Sequence, residues 1–193
     1  IYEGTNEINR MLSVGMLVKK SMKGDLDLMN AVIKVSSEMA NGGVKKEIDL
    51  NQPLSVELQK IKNLKKVFLM IAGSAFQKYG QELEKHQQTL LGLSDILIEI
   101  YFAESATLRT IKNFNRGYDV DHQINMTKLY VFDAAEIVIG RSKETIGNIA
   151  EGDAQIKLMK SLHLLTKYEK LPNVPDLRNK IADKIIMENG YGF

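Results

Sequence analysis

From Pro53 to about Glu84 the apolar residues Leu54, Leu58, Ile61, Leu64, Phe68, Ile71, Ala75 and Tyr79 recur every three or four positions. That spacing lines them up on one face of a helix long enough to cross a bundle. Nothing else in the chain limits the fold as much. The same spacing continues on both sides, and only Pro53, Pro172 and Pro175 stand in its way. Each of those prolines sits where a helix could start or a loop could run. No stretch shows the two-residue alternation of a half-buried strand. The sequence therefore predicts an all-α protein, an up-and-down helical bundle of long antiparallel helices.

The remaining helices follow from the same pattern. The first is expected from about Asn6 to about Met22, with Ile8, Met11, Leu12, Gly15 and Val18 as its buried stripe. Lys19, Lys20 and Lys23 place positive charge near its C-terminus, as the helix dipole favours. Asp25 or Asp27 would cap a second helix carrying Leu28, Val32, Val35 and Met39, and Asn41-Gly42-Gly43 would end it. Residues 44–52 read as a loop and divide the chain into two units, 1–43 and 44–193. Gly73 and Gly80 fall inside the third helix, at points where a neighbouring helix could come close.

A fourth helix is expected from about Gln88 to Phe114. Its centre, Ile96 to Ala103, is apolar nearly all round and so predicts the most enclosed helix. After the turn residues Asn115 to Asp119, a fifth helix from Asp121 to Ala150 would turn Leu129, Phe132, Ala135 and Ile139 inward. Ile156, Met159, Leu162 and Leu165 mark a sixth, and Asp176 to about Glu188 the last. Met11, Met39, Met70 and Met159 lie on these stripes and read as core filling. Glu99 and Glu104, in or beside the apolar stretch of the fourth helix, read as partners for basic residues on a neighbour.

Composition narrows the function classes. The 193 residues are 44% hydrophobic and 26% charged, the balance of a globular chain and not of a disordered one. A net charge of +2, from 26 basic and 24 acidic residues, implies no strong attraction to nucleic acid or to an acidic membrane. With no cysteine there is no disulfide, thiol nucleophile or thiolate metal site. His86, His122 and His163 have no partner at metal-ligand spacing, so no metal is expected. No glycine-rich dinucleotide or phosphate motif, nucleophile elbow or zinc-protease motif occurs.

Chemistry is concentrated at the start: Ile1-Tyr2-Glu3-Gly4-Thr5-Asn6-Glu7-Ile8-Asn9-Arg10. Gly4 allows a backbone conformation closed to other residues and a close approach by a ligand. Thr5 or Asn6 can cap the following helix, and Glu7 adds negative charge to its first turn. A carboxylate such as Glu3, just before a glycine and a helix start, could serve as a general base.

Tyr2 to Arg10 closely resembles the C-terminal signature of the acyl-CoA dehydrogenases. The resemblance implies that Glu3 removes the α-proton of a fatty acyl-CoA while a hydride leaves the β-carbon for FAD. It implies further that Gly4 lies against the thioester end of the substrate and that Thr5, Asn6 and Glu7 touch FAD. Some relatives carry the base on another helix, and an acid at Glu3 argues against that branch. In the family a helical domain, a β-domain and most of a second helical domain precede this signature, so the chain reads as the C-terminal piece of a longer enzyme. The long continuation after the first helix, and the ending Gly190-Tyr191-Gly192-Phe193, resemble the long-chain and very-long-chain branch with its added helical domain. That branch implies a dimer, and in some members its added domain meets a membrane; the family resemblance implies an electron-transferring flavoprotein as acceptor. The last helix balances Arg178, Lys180 and Lys184 against Asp176, Asp183 and Glu188, so a soluble homodimer is expected, in the cytoplasm or, in a eukaryote, the mitochondrion. The other reading, taken from the residues after the signature, is an all-α assembly or interaction module with no activity in isolation.

Overall fold

The computed structural model describes residues 4–42, 48, 49 and 51–190. Among them are seven α-helices and no strand: α1 (Asn6–Met22), α2 (Leu28–Ala40), α3 (Ser55–Tyr79), α4 (Gln87–Asn115), α5 (Asp121–Ile149), α6 (Gly152–Thr166) and α7 (Val174–Glu188), with a short 3-10 segment, Gly80–Lys85, between α3 and α4. The all-α expectation holds, and most helix limits fall within two residues of those read from the pattern. Gly43, Val44 to Glu47, Leu50 and the final Tyr191-Gly192-Phe193 lie outside the described residues.

The centre of the molecule is α3, α4 and α5 packed side by side, with α1 against α4, α2 against α3, α6 against α3 and α5, and α7 against α5. Ile61, Leu64 and Ile71 of α3 are fully buried, with Leu93 and Ile96 of α4 and Val138 and Ile146 of α5. Val14 of α1 and Val35 of α2 join this same core. Met70 is buried within it, and Met11, Met39 and Met159 pack against it, as their positions on the stripes predicted. Helix docking is close enough that glycine is required: a Cβ on Gly73 would come 2.6 Å from Val32 Cγ1.

Several expectations are corrected by the packing. Gly80 does not sit inside α3 but ends it, at φ 53° and ψ −128°, with open space where a side chain would be. Only glycine adopts that conformation without strain, so the helix stops five residues early and turns into the 3-10 segment. At its other end α3 starts after Leu54, a buried non-glycine residue at φ 62°. In α4, Ile96, Ile100 and Ala103 are buried as expected, but Tyr101 and Phe102 are 64% and 52% exposed. Its neighbours α1, α3 and α5 leave one side of the helix uncovered, so the all-round enclosure is not found. The inward face of α5 is built from Val131, Ala134, Ala135 and Val138 together with Thr127, Ser142 and Thr145. Leu129, Phe132 and Ile139 lie at the edge of that face, half-buried. Along α6, Leu162 and Leu165 are buried while Ile156 is exposed.

The largest correction concerns α1. Its limits are as read, but Ile8 and Leu12 are 47% and 51% exposed, and Val14 is its buried apolar residue. Met11, of the expected stripe, and Leu17 pack against the core beside Val14, while Arg10 and Ser13 turn to α4. A helix orients by its hydrogen bonds and charges as well as by its apolar stripe, and here buried Ser94 and half-buried Asp95 on α4 hold it in this rotation.

Candidate active site

Gly4 holds φ 100°, a conformation that L side chains rarely adopt. A Cβ there would also lie 3.0 Å from Asn9 Oδ1, so both backbone and space call for glycine. Thr5 follows in extended conformation and is the N-cap: its Oγ1 accepts from the Ile8 N–H at 3.4 Å, and its carbonyl accepts from the Asn9 N–H at 3.0 Å. Of the two capping candidates it is thus Thr5 that caps, and Asn6 is the first residue of α1. Glu7 lies in the first turn. A hydrogen bond from its own backbone N–H, then one from the Thr5 hydroxyl, then the Arg10 charge hold its carboxyl below the ordinary value of 4.5. It is an anion at neutral pH, placed where the helix dipole favours one.

Gly4, Thr5, Asn6 and Glu7 therefore form one solvent-facing helix start. Glu3, the expected base, lies outside the described residues.

Beneath that turn is a polar anchor that the apolar pattern did not reveal. Arg10 Nη2 pairs with Asp95 Oδ1 on α4, and Asp95 Oδ2 receives Arg141 Nε from α5 at 3.2 Å. The Ser94 hydroxyl donates to the Arg10 carbonyl at 2.6 Å, and Ser13 Oγ lies 2.8 Å from Ser94 Oγ. An acid in the apolar run of α4 and the file Arg10, Ser13 on α1 were the available signals.

The other carboxylates of α4 divide. Glu104 pairs with Lys65 at 2.5 Å, the structural role expected of it. Glu99 forms no ion pair among the described residues; burial, then the charge of Asp95, raises its pKa. His86 stacks on Tyr79 with ring centroids 3.6 Å apart, and no cluster of metal-ligating residues occurs among the described residues.

A cleft of about 660 Å³ lies elsewhere, between the start of α3, α5 and the connection into α7. Lys60 crosses it with Nζ 3.5 Å above the Tyr168 ring, donating to the Thr166 carbonyl at 2.8 Å and the Lys167 carbonyl at 3.2 Å. Those bonds satisfy carbonyls at the C-terminus of α6, a structural use of a cation. The cleft includes none of residues 4–10.

Comparison with known proteins bears on the whole chain. The sequence model of the family "Acyl-CoA dehydrogenase, C-terminal domain" matches residues 63–163. A probable acyl-CoA dehydrogenase of Bacillus subtilis is 31% identical over 169 residues, covering 86% of this chain and 28% of that protein. The crystal structure of an acyl-CoA dehydrogenase from Bacillus anthracis, complexed with FAD, superposes on all of this chain and 33% of its own, at 34% identity and a TM-score of 0.93. The chain thus spans about a third or less of the length of these relatives. With a family match across α3 to α6 and a backbone shared from end to end, the chain belongs to the acyl-CoA dehydrogenase family.

Proposed function

We propose that this chain is the C-terminal part of an FAD-dependent acyl-CoA dehydrogenase that oxidises the α,β-bond of a fatty acyl-CoA. The observation that carries this reading is the start of α1, where left-handed Gly4 leads into the Thr5 cap in a chain that belongs to that family. Glu3 is the base. Its carboxylate takes the α-proton, and water exclusion by bound substrate would raise its pKa toward that task. Gly4, without a side chain, lets the thioester end of the substrate approach the backbone.

FAD, when bound, would accept the hydride released from the β-carbon. The residues present suit its hydroxyl-bearing part. Glu7 is an anion, Thr5 carries a hydroxyl and Asn6 an amide, all exposed or half-exposed. Such a set pairs with hydroxyl groups, while the Glu7 charge repels a phosphate placed directly on this helix start.

In this reading residues 1–43 close the catalytic helical domain. Residues 44–193 form an added bundle of the long-chain type, packed on it through the shared core of Val14 and Val35. The enzyme is a homodimer that passes electrons to an electron-transferring flavoprotein. Residues 1–193 alone supply one edge of the cofactor site, so in isolation they are colourless and inactive.

The test is Glu3→Gln in the full-length protein. The variant should keep FAD and lose flavin reduction by acyl-CoA by about 10²-fold or more, the scale of a missing general base. Near-normal reduction would remove Glu3 from the mechanism.

A further inference from the structure

Two successive residues of α4 grip one residue of α1. Asp95 holds the Arg10 guanidinium, and Ser94, fully buried, donates to the Arg10 carbonyl at 2.6 Å. Ser13, one turn further along, meets Ser94 at 2.8 Å and returns a hydrogen bond to the same carbonyl at 2.7 Å. A side-chain contact and a main-chain contact on a single residue fix both the roll and the axial position of a helix. Apolar packing through Val14 constrains either less, because dispersion contacts have little directionality.

Arg10 lies about 4.5 Å along the helix axis from Glu7, at about 1.5 Å per residue. A roll of α1 at Arg10 is therefore carried directly to Thr5, Asn6 and Glu7. We infer that Asp95 is a positioning residue for the active site, setting through Arg10 the orientation in which the start of α1 meets substrate and cofactor. The role rests on the function proposed above. Arg141 takes no part in that grip: it meets only the second oxygen of Asp95, at 3.2 Å, and is itself held by Glu144 at 2.8 Å. A misplacement of about 1 Å in a reacting constellation can cost up to about 10²-fold in rate, so a modest roll would be visible in the chemistry.

The test compares Asp95→Asn with Arg141→Ala in the full-length protein. Asp95→Asn removes the charge that holds Arg10, whereas Arg141→Ala strips the other arm of Asp95 without touching α1. In single-turnover flavin reduction, Asp95→Asn should lower the limiting rate about tenfold while acyl-CoA affinity changes less than about twofold. Arg141→Ala should stay within about twofold on both. In the cofactor-free protein, amide exchange at Ile8 and Asn9 should quicken in Asp95→Asn and not in Arg141→Ala. Should Asp95→Asn fail to fold, Arg10→Lys keeps the cation but loses the guanidinium fork, and should lower the rate in the same direction. Wild-type rates in Asp95→Asn or in a folded Arg10→Lys would overturn the inference, as would equal losses in Asp95→Asn and Arg141→Ala. A wild-type protein that bound no FAD would overturn the proposed function, and the exchange comparison would still decide whether Asp95 orients α1.

Discussion

Val32 sits over Gly73: a Cβ built on Gly73 would come within 2.6 Å of Val32 Cγ1. The contact joins α2 to the middle of α3, and neither side can easily yield. Val32 is β-branched and stiff, and Gly73 lies in a continuous helix. Replacing Gly73 by Ala would gain about 1 kcal/mol of helix propensity in an open helix. Here overpacking, at about 1–3 kcal/mol, outweighs it. Gly73→Ala should therefore lower the thermal midpoint by a few degrees, and adding Val32→Ala should recover part of that loss. A Gly73→Ala protein more stable than the parent would show that α2 can lift away at no cost.

The second prediction is a pH dependence. Burial pushes the Lys60 ammonium down to about 8 from its ordinary 10.5, against the pull of Glu136. Between those values the unfolded chain binds a proton that the folded protein has released, so stability rises with pH from about 8 upward. The Tyr168 phenol opposes this above pH 10, since burial and then Glu136 raise its pKa in the fold. The useful window is accordingly pH 8 to 10. Denaturant unfolding should show stability climbing across it, and Lys60→Met should flatten the slope. Lys60→Met should also be less stable at every pH, because the Thr166 and Lys167 carbonyls lose their donor.

Glu99 offers the opposite sign. Burial, then Asp95, raises its carboxyl above 4.5, and burial, then the charge of Glu99, raises the pKa of Tyr130. A group raised in the fold contributes stability below its unfolded pKa and loses it as pH climbs through the folded value. At neutral pH, above the unfolded pKa, Glu99 therefore costs stability, with no ion-pair partner among the described residues. Glu99→Gln should be more stable than the parent at pH 7, and the difference should vanish below about pH 4. Thermal melts at the two pH values check this, and a destabilised variant at pH 7 would point to a role for the charge.

How far these features could be read from sequence depends on what holds each element. The helices α3 to α6 were legible because each carries an apolar stripe: on α3, Ile61, Leu64, Phe68 and Ile71 are all buried where their spacing put them, although on α5 only Ala135 of the four expected residues is. The conformation of Gly4, and a cap at Thr5 or Asn6, were legible for another reason, since each needs only local chemistry; the structure chooses Thr5. What failed was rotation. Ile8 and Leu12 looked like the inner face of α1, but Arg10 and Ser13 have partners on α4 some 80 residues away, which no local pattern encodes. Tyr101 and Phe102 failed likewise, because apolar residues say nothing about which neighbours exist to cover them. Gly80 shows the limit of counting periods: the stripe runs through it, yet its backbone turns the helix off.

The last prediction concerns α7 and membranes. Among the described residues no helix is long and apolar enough to cross a bilayer, and α7 is the helix whose stripe could lie on a surface. Surface attachment needs an amphipathic helix with an apolar face free for lipid and a basic polar face. Leu177 of α7 is buried and Ile181 and Ile185 are half-buried, so that stripe is already engaged, while Ile186 and Met187 are exposed beside it. The basic residues are matched one for one: Lys180 with Asp176 at 2.8 Å, Lys184 with Glu188, and Arg178 with Asp133 of α5 at 3.9 Å. An unopposed Lys or Arg near an anionic surface would contribute about 1 kcal/mol, and pairing removes most of it. Two exposed apolar side chains then have too little electrostatic help to hold the protein on a vesicle. The full-length protein should stay in the supernatant when sedimented with phosphatidylserine-containing liposomes at low salt. Replacing Asp176 and Glu188 by Gln should produce binding that is lost as salt is raised, because it frees Lys180 and Lys184. Strong, salt-sensitive sedimentation of the unmodified protein would instead assign α7, or another face of the bundle, to a lipid surface.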